Sequence, residues 1–145
     1  QSEGTAMVTD LEQACVSIGE LVQQIRKRVP EVVAEHRQRL LDRVAKVLET
    51  HQARLDDNDV IREVALIADR SDISEELVRL ESHVEQFRSL LHDTAPGRSL
   101  DFLAQELGRE ANTIGSKSVD VAIAHAVVDL KSQVERIREQ AANIE

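Results

Sequence analysis

Apolar residues recur along this chain at steps of three and four, and that period restricts it to long α-helices packed along narrow seams. The first stripe runs Val8, Leu11, Cys15, Ile18, Val22, Ile25 and Val29, the spacing of a coiled-coil seam. A second passes Val33, Leu40, Leu41, Val44, Val47, Leu48 and Leu55, and a short third carries Val60, Ile61, Val64, Ala65, Ile67 and Ala68. A fourth follows Ile73, Leu77, Leu80, Val84, Phe87 and Leu91. The last follows Ile123, Val127, Leu130, Val134, Ile137, Ala141 and Ile144, which predicts a packed C-terminal end. Another helix is expected from Ser99 to Ile114.

Punctuation between the seams is sparse. Pro30 lacks a backbone donor but fits a first helical turn, so it is expected to end one helix or open the next. Asp56-Asp57-Asn58-Asp59 supplies a break with caps, Asp72 with Glu75 a variant capping box, and Ala95-Pro96-Gly97 the clearest loop. Gly115-Ser116 is the expected stop of the helix before it. The resulting fold class is all-α: about six helices in long hairpins forming a coiled-coil-like bundle. With only two Pro, five Gly and two Phe, a sandwich or barrel is excluded, and the core must be built from Leu, Ile, Val and Ala.

The 145 residues suffice for one domain with a sizeable core. The single Cys15 excludes an internal disulfide framework and suits a reducing compartment. With no apolar run near the ~20 residues of a membrane span and no secretory pattern, the expected location is the cytoplasm, away from membranes. Gln1-Ser2-Glu3-Gly4 reads as a cut end, so the chain is expected to be part of a longer protein.

A net charge of −9 disfavours polyanions at long range, but the charge is uneven. Residues 26–54 form a basic arm that includes Arg26, Arg28, Arg37 and Arg43, while residues 56–81 are strongly acidic. The arm could bind a polyanion and the acidic centre a metal ion, or both are solvated helix faces, the arm's arginines pairing with Glu31, Glu35, Asp42 and Glu49.

No Walker loop, dinucleotide fingerprint, zinc Cys cluster or His-Glu-x-x-His pair is present. Two polar stretches remain. In residues 72–83, Glu76, Arg79 and His83 share a helix face, a carboxylate and an imidazole able to hold a divalent ion or act as an acid–base pair. The same stripe also fits a Glu–Arg ion pair with a surface histidine. In residues 100–118, Glu106, Glu110, Thr113 and Lys117 share a face, with Asp101, Gln105 and Asn112 beside it. Paired carboxylates near Arg109 and Lys117 suit a phosphodiester held at a hard cation, or else a polar network that sets helix register.

Gly97-Arg98-Ser99-Leu100-Asp101-Phe102, Gln105-Glu106 and Arg109-Glu110-Ala111-Asn112-Thr113-Ile114-Gly115-Ser116-Lys117-Ser118 resemble the signature of the YicC/YloC family. Glu63, Arg70, Asp72, Glu75-Glu76-Leu77, Arg79-Leu80 and His83 fit the same pattern, as does the ending Arg138-Glu139-Gln140 with Asn143-Ile144-Glu145. Two positions depart from it: Gly108, where the family usually carries Asn or another side chain, and Ser71, which replaces an apolar residue.

The resemblance makes residues 1–145 the C-terminal helical domain of a bacterial protein about twice as long. It implies a metal-dependent endoribonuclease that cuts single-stranded RNA, contributes to small-RNA turnover and assembles as a homo-oligomer, a hexamer in the family. Within that reading Glu76, His83, Glu106 and Glu110 are the catalytic residues and the ligands of a divalent cation, Mg²⁺ or Mn²⁺. Arg79, Arg109 and Lys117 face the RNA phosphate. Attack by water or by the RNA 2′-hydroxyl both remain open.

With no aromatic stacking platforms apparent, selection of single strands is expected to come from the shape of the assembly. The fragment alone is expected to be weakly active or inactive. The alternative is a helical oligomerisation module with no catalytic group.

The seams exceed what one thin hairpin can cover, so the isolated chain is expected to self-associate. Sedimentation should show species larger than a monomer, and a compact monomer over a wide concentration range would refute it.

Overall fold

The computed structural model describes residues 2–51, 57–70, 72–92 and 98–144, all of the regular structure being α-helix. There are five helices: α1 (Ser2–His51), α2 (Asp57–Arg70), α3 (Ser74–Leu91), α4 (Arg98–Lys117) and α5 (Val121–Ile144). The all-α expectation holds. The 95–97 loop, Asp56 and the side chain of Ile144 lie outside what is described.

Four of the helices close a ring. α1 packs on α3 and α5, and α4 packs on the same two, while α2 touches α1. Cross-helix bonds give the directions. Arg28 reaches Asp120 near one end of the α1–α5 pair, and Asp10 takes Arg136 and Gln140 near the other, so these helices are antiparallel. Between α1 and α3, Glu12 meets His92 and Arg26 meets Glu81, again antiparallel. The result is a four-helix bundle formed by the first half of α1 with α3, α4 and α5.

Its core is aliphatic apart from Cys15 and Phe87, close to what the composition required. The seam positions Leu11, Cys15, Ile18, Val22 and Ile25 of α1 meet Leu77, Leu80, Val84 and Phe87 of α3 and Ile123, Val127, Leu130, Val134 and Ile137 of α5, all buried. Each fully buried Leu or Ile contributes about 1.5–3 kcal/mol relative to exposure. Burial pushes the Cys15 thiol up to about 12, so it stays protonated and packs as a small apolar group.

Two breaks read from the sequence are absent. α1 runs straight through Pro30, which reduces six helices to five. A proline inside a helix removes one hydrogen bond and crowds the carbonyl four residues back, a cost of about 3 kcal/mol. Ile25 and Val32 are buried on the same seam on either side of it, with Val29 partly buried between them. Arg28 also bridges the site, donating to Glu31 at 3.0 Å and to Glu35 at 2.9 Å while holding Asp120. Together these contacts keep the helix continuous.

α4 likewise passes through Gly115 to Lys117. A Cβ at Gly115 would lie 3.1 Å from Val127 Cγ1, so this glycine serves close approach of α4 to α5 and not termination. Gly108 leaves α4 equally continuous, with ordinary room toward Val134. At the start of α3, the Asp72 carboxylate accepts from the Ser74 backbone N–H at 2.9 Å and from its hydroxyl. Asp72 thus caps the first turn from one residue outside the N-cap, which is Ile73, and the expected capping box is not formed: Glu75 pairs with Arg79 and the Asp72 N–H donates to the Asp69 carbonyl.

At 1.5 Å per residue, the 50-residue α1 spans about 75 Å, twice what the bundle needs. Beyond Val32 none of its described side chains is fully buried. Leu40, Leu41, Val44 and Leu48 are half-buried and Val33 and Val47 exposed, as are Ile61 and Leu66 of α2. This outer half and α2 form an arm that carries its own apolar residues away from the core.

Asp120 fixes the end of the bundle from which the arm departs. Its carboxylate accepts from Arg28 and from the Ile123 backbone N–H at 3.0 Å, capping α5. The Arg28 hydrogen bond holds the Asp120 carboxyl down at about 2, below its ordinary 3.8. Its contribution to stability is therefore complete above pH 3.8 and is lost as pH falls through 2. Asp120→Ala should cost about 0.5–2 kcal/mol in denaturant unfolding at pH 7. The deficit relative to wild type should shrink toward pH 2, and a constant deficit would show that the charge is not involved.

Candidate functional site

The polar residues singled out in α3 and α4 face each other across that helix pair. Lys117 lies opposite Glu76, Glu110 opposite Arg79, and Glu106 and Glu110 opposite His83. The antiparallel packing thus joins two stretches that are separate in sequence into one groove.

Three side chains converge. One ligand atom each from His83, Glu106 and Glu110 lies within 4.8 Å of the others, the one such group of three or more metal-ligating side chains among the described residues. Glu110 is buried, and His83 and Glu106 are partly exposed, so the group opens to solvent on one side. The His83 Nδ1 is buried without a hydrogen-bond partner. Two carboxylates this close repel unless a positive charge lies between or beside them. An orphaned ring nitrogen and converging carboxylates are a donor set that a divalent cation fits.

Glu76 does not join them. Its buried carboxylate accepts from Lys117 Nζ at 3.1 Å and from Arg79 at 3.4 Å, and so forms a separate ion cluster about two turns away along α3. Lys117 also donates to the Asp72 carbonyl, so it is bound to protein on two sides. Arg79 is similarly engaged: its Nε donates to Glu110 at 2.9 Å and its terminal nitrogens reach Glu75 and Glu76. The bond to Glu110, and then that to Glu75, raises the pKa of a guanidinium that is always charged. Of the three cations assigned to phosphate, Arg109 is the most open. Its side chain is 74% exposed and lies 3.7 Å from Glu106.

The remaining candidates are peripheral. Asp101 accepts from Gln105 on the surface, and Asn112 is exposed. In the basic arm, Arg26 pairs with Glu81 and Arg28 with Asp120, Glu31 and Glu35. Of these, only the Arg28 bonds to Glu31 and Glu35 are those the ion-pair reading of that arm names; Arg26 reaches across to Glu81 of α3 instead.

Residues 25–145 match the family described as "Endoribonuclease YicC-like, C-terminal". The chain belongs to the YicC-like family. It is 41% identical over 144 residues to the "Probable endoribonuclease YicC" of Clostridioides difficile (strain 630), covering 99% of this chain and 49% of that protein. A relative of the same name in Haemophilus influenzae (strain ATCC 51907 / DSM 11121 / KW20 / Rd) is 40% identical over the same length, with the same coverage. The chain spans about half the length of these curated relatives.

Arg79 is the tie between the two clusters, and its removal should expose that role. Arg79→Met leaves Glu110 buried beside Glu106 with no cation, so the melting temperature at pH 7 should fall. Adding Glu110→Gln should restore part of the loss in thermal unfolding. Strict additivity of the two changes would mean that the pair is not coupled.

Proposed function

We propose that this chain carries the catalytic face of a divalent-cation-dependent endoribonuclease acting on single-stranded RNA. One observation carries the reading: His83, Glu106 and Glu110 converge within 4.8 Å beside the exposed Arg109. The names of the relatives supply the reaction class.

In this reading Glu106, Glu110 and His83 hold the cation, and Glu76 serves the architecture of the groove by neutralising Lys117 and Arg79. When bound, a divalent cation polarises a phosphoryl oxygen and lowers the pKa of a nearby water. Two carboxylates with one imidazole suit Mn²⁺ and also admit Mg²⁺. Arg79 fixes the Glu110 carboxylate so that its orientation is set before substrate arrives. Arg109, facing solvent beside Glu106, neutralises the scissile phosphate. His83 and Glu106, each partly exposed, hold the cation on the side open to solvent, from which water and RNA arrive.

The family resemblance adds small RNAs as the substrate class, a cytoplasmic setting and a homo-oligomeric assembly. No described helix is long and apolar enough to cross a membrane. The second function, assembly, is favoured by a separate observation: the arm exposes Val33, Val47, Ile61 and Leu66. Both roles fit in one chain because the groove and the arm occupy different helices.

The test is cleavage of end-labelled single-stranded RNA with Mn²⁺ or Mg²⁺, by this chain and by the longer protein that contains it. Glu106→Gln and Glu110→Gln should each lower the rate by orders of magnitude while helicity persists. Binding of Mn²⁺, followed by calorimetry, should weaken in the same variants and in His83→Ala. Full activity per folded molecule in both glutamine variants would assign the cluster to structure alone.

A further inference from the structure

The chain has two aromatic side chains, both phenylalanine, and the bundle treats them oppositely. Phe87 is fully buried in the core, whereas Phe102 is 61% exposed. The core-facing stripe of α4 is Leu100, Leu103, Leu107, Ala111 and Ile114, all buried. Phe102 is off that stripe. It falls on the flank that carries Glu106 and Arg109, since residues 102, 106, 109 and 113 stack along one helix face at steps of four, three and four. At 1.5 Å per residue the ring's backbone position lies about 6 Å along the axis from Glu106.

A phenyl ring left in water forgoes the transfer energy that burial would give it. Here it is held one turn from a carboxylate–imidazole group and two turns from a solvent-facing guanidinium. A flat π-face beside a cation is the pairing that grips a nucleotide, the ring taking the base and the cation its phosphate. The ring suits only bases that are free. In an A-form duplex both faces of each base are already stacked and the deep groove is closed to side chains, so an open aromatic engages unpaired nucleotides.

We propose that Phe102 is the stacking platform for one unpaired base of the RNA strand whose phosphate lies at Arg109, beside His83, Glu106 and Glu110. The proposal rests on the ribonuclease reading of that group. It places part of the selection for single strands in this chain, where the sequence alone had left it to the shape of an assembly.

The absence of Trp and Tyr gives a direct probe. Phe102→Trp introduces the one indole of the chain, and its fluorescence should be quenched by a single-stranded oligoribonucleotide. An abasic ribose-phosphate strand of equal length, or a blunt duplex, should leave it unchanged. Phe102→Ala should weaken binding of the single strand by on the order of tenfold, as loss of one stacked base predicts, and leave abasic binding as it was. Circular dichroism should match wild type, because the ring is outside the core.

Wild-type affinity in Phe102→Ala, or an equal loss for the single strand and the abasic strand, would overturn the proposal. So would a smaller sedimenting species with RNA affinity unchanged, which would make the ring a contact between copies. If Phe102→Ala is silent while Glu110→Gln abolishes cleavage, stacking fails and the catalytic reading stands. If Phe102→Trp is quenched while Glu110→Gln cleaves normally, the catalytic reading fails and base stacking stands.

Discussion

Two carboxylates, Glu76 and Glu110, are buried between helices that otherwise meet mainly through apolar side chains, and the placement of α3 against α4 depends on how they are neutralised. Removing a carboxylate from water costs several kcal/mol unless cations and donors replace the lost hydration. Arg79 reaches both, and Lys117 closes on Glu76 from the end of α4. These bonds are met in one register of the two helices. A slip by a turn would leave buried charge unpaired, whereas the apolar seam alone would tolerate it. The same register brings His83 opposite Glu106 and Glu110. Structural ion pairs and candidate ligands are thus products of a single alignment, in which Glu76 of α3 pairs with cations while Glu106 and Glu110 of α4 converge on His83.

The periodic seams of α1, α3 and α5 could be read directly because a helix buries one stripe, and the stripe is written in the residue order. Pro30 and Gly115 could not be. Both are local signals for helix ends, and both are overruled by partners far away in sequence: Asp120 bonded to Arg28, and Val127 packed on Gly115. Propensity is a weak preference against such contacts.

At the site, spacing correctly put Glu106 and Glu110 on one face and His83 beside a seam. It cannot tell which acid on α3 faces which base on α4, and so does not separate Glu76 from the ligands or Lys117 from the phosphate cations. That choice is made by inter-helix register, which no single helix encodes. Phe102 is the opposite case. Its signal was available in the sequence, as an aromatic residue out of phase with Leu100, Leu103 and Leu107, but it counts only once the flank it occupies is seen to hold charge.

The unbroken passage of α1 through Pro30 makes the molecule a braced cantilever. A helix missing one backbone hydrogen bond bends most easily at that point, and the Arg28–Asp120 pair with Glu31 and Glu35 spans it like a strut anchored in the bundle. The strut resists independent swinging of the arm. A load seated on residues 33–51 would to that extent be passed to the bundle, and so to the groove between α3 and α4, from a point some tens of ångströms away.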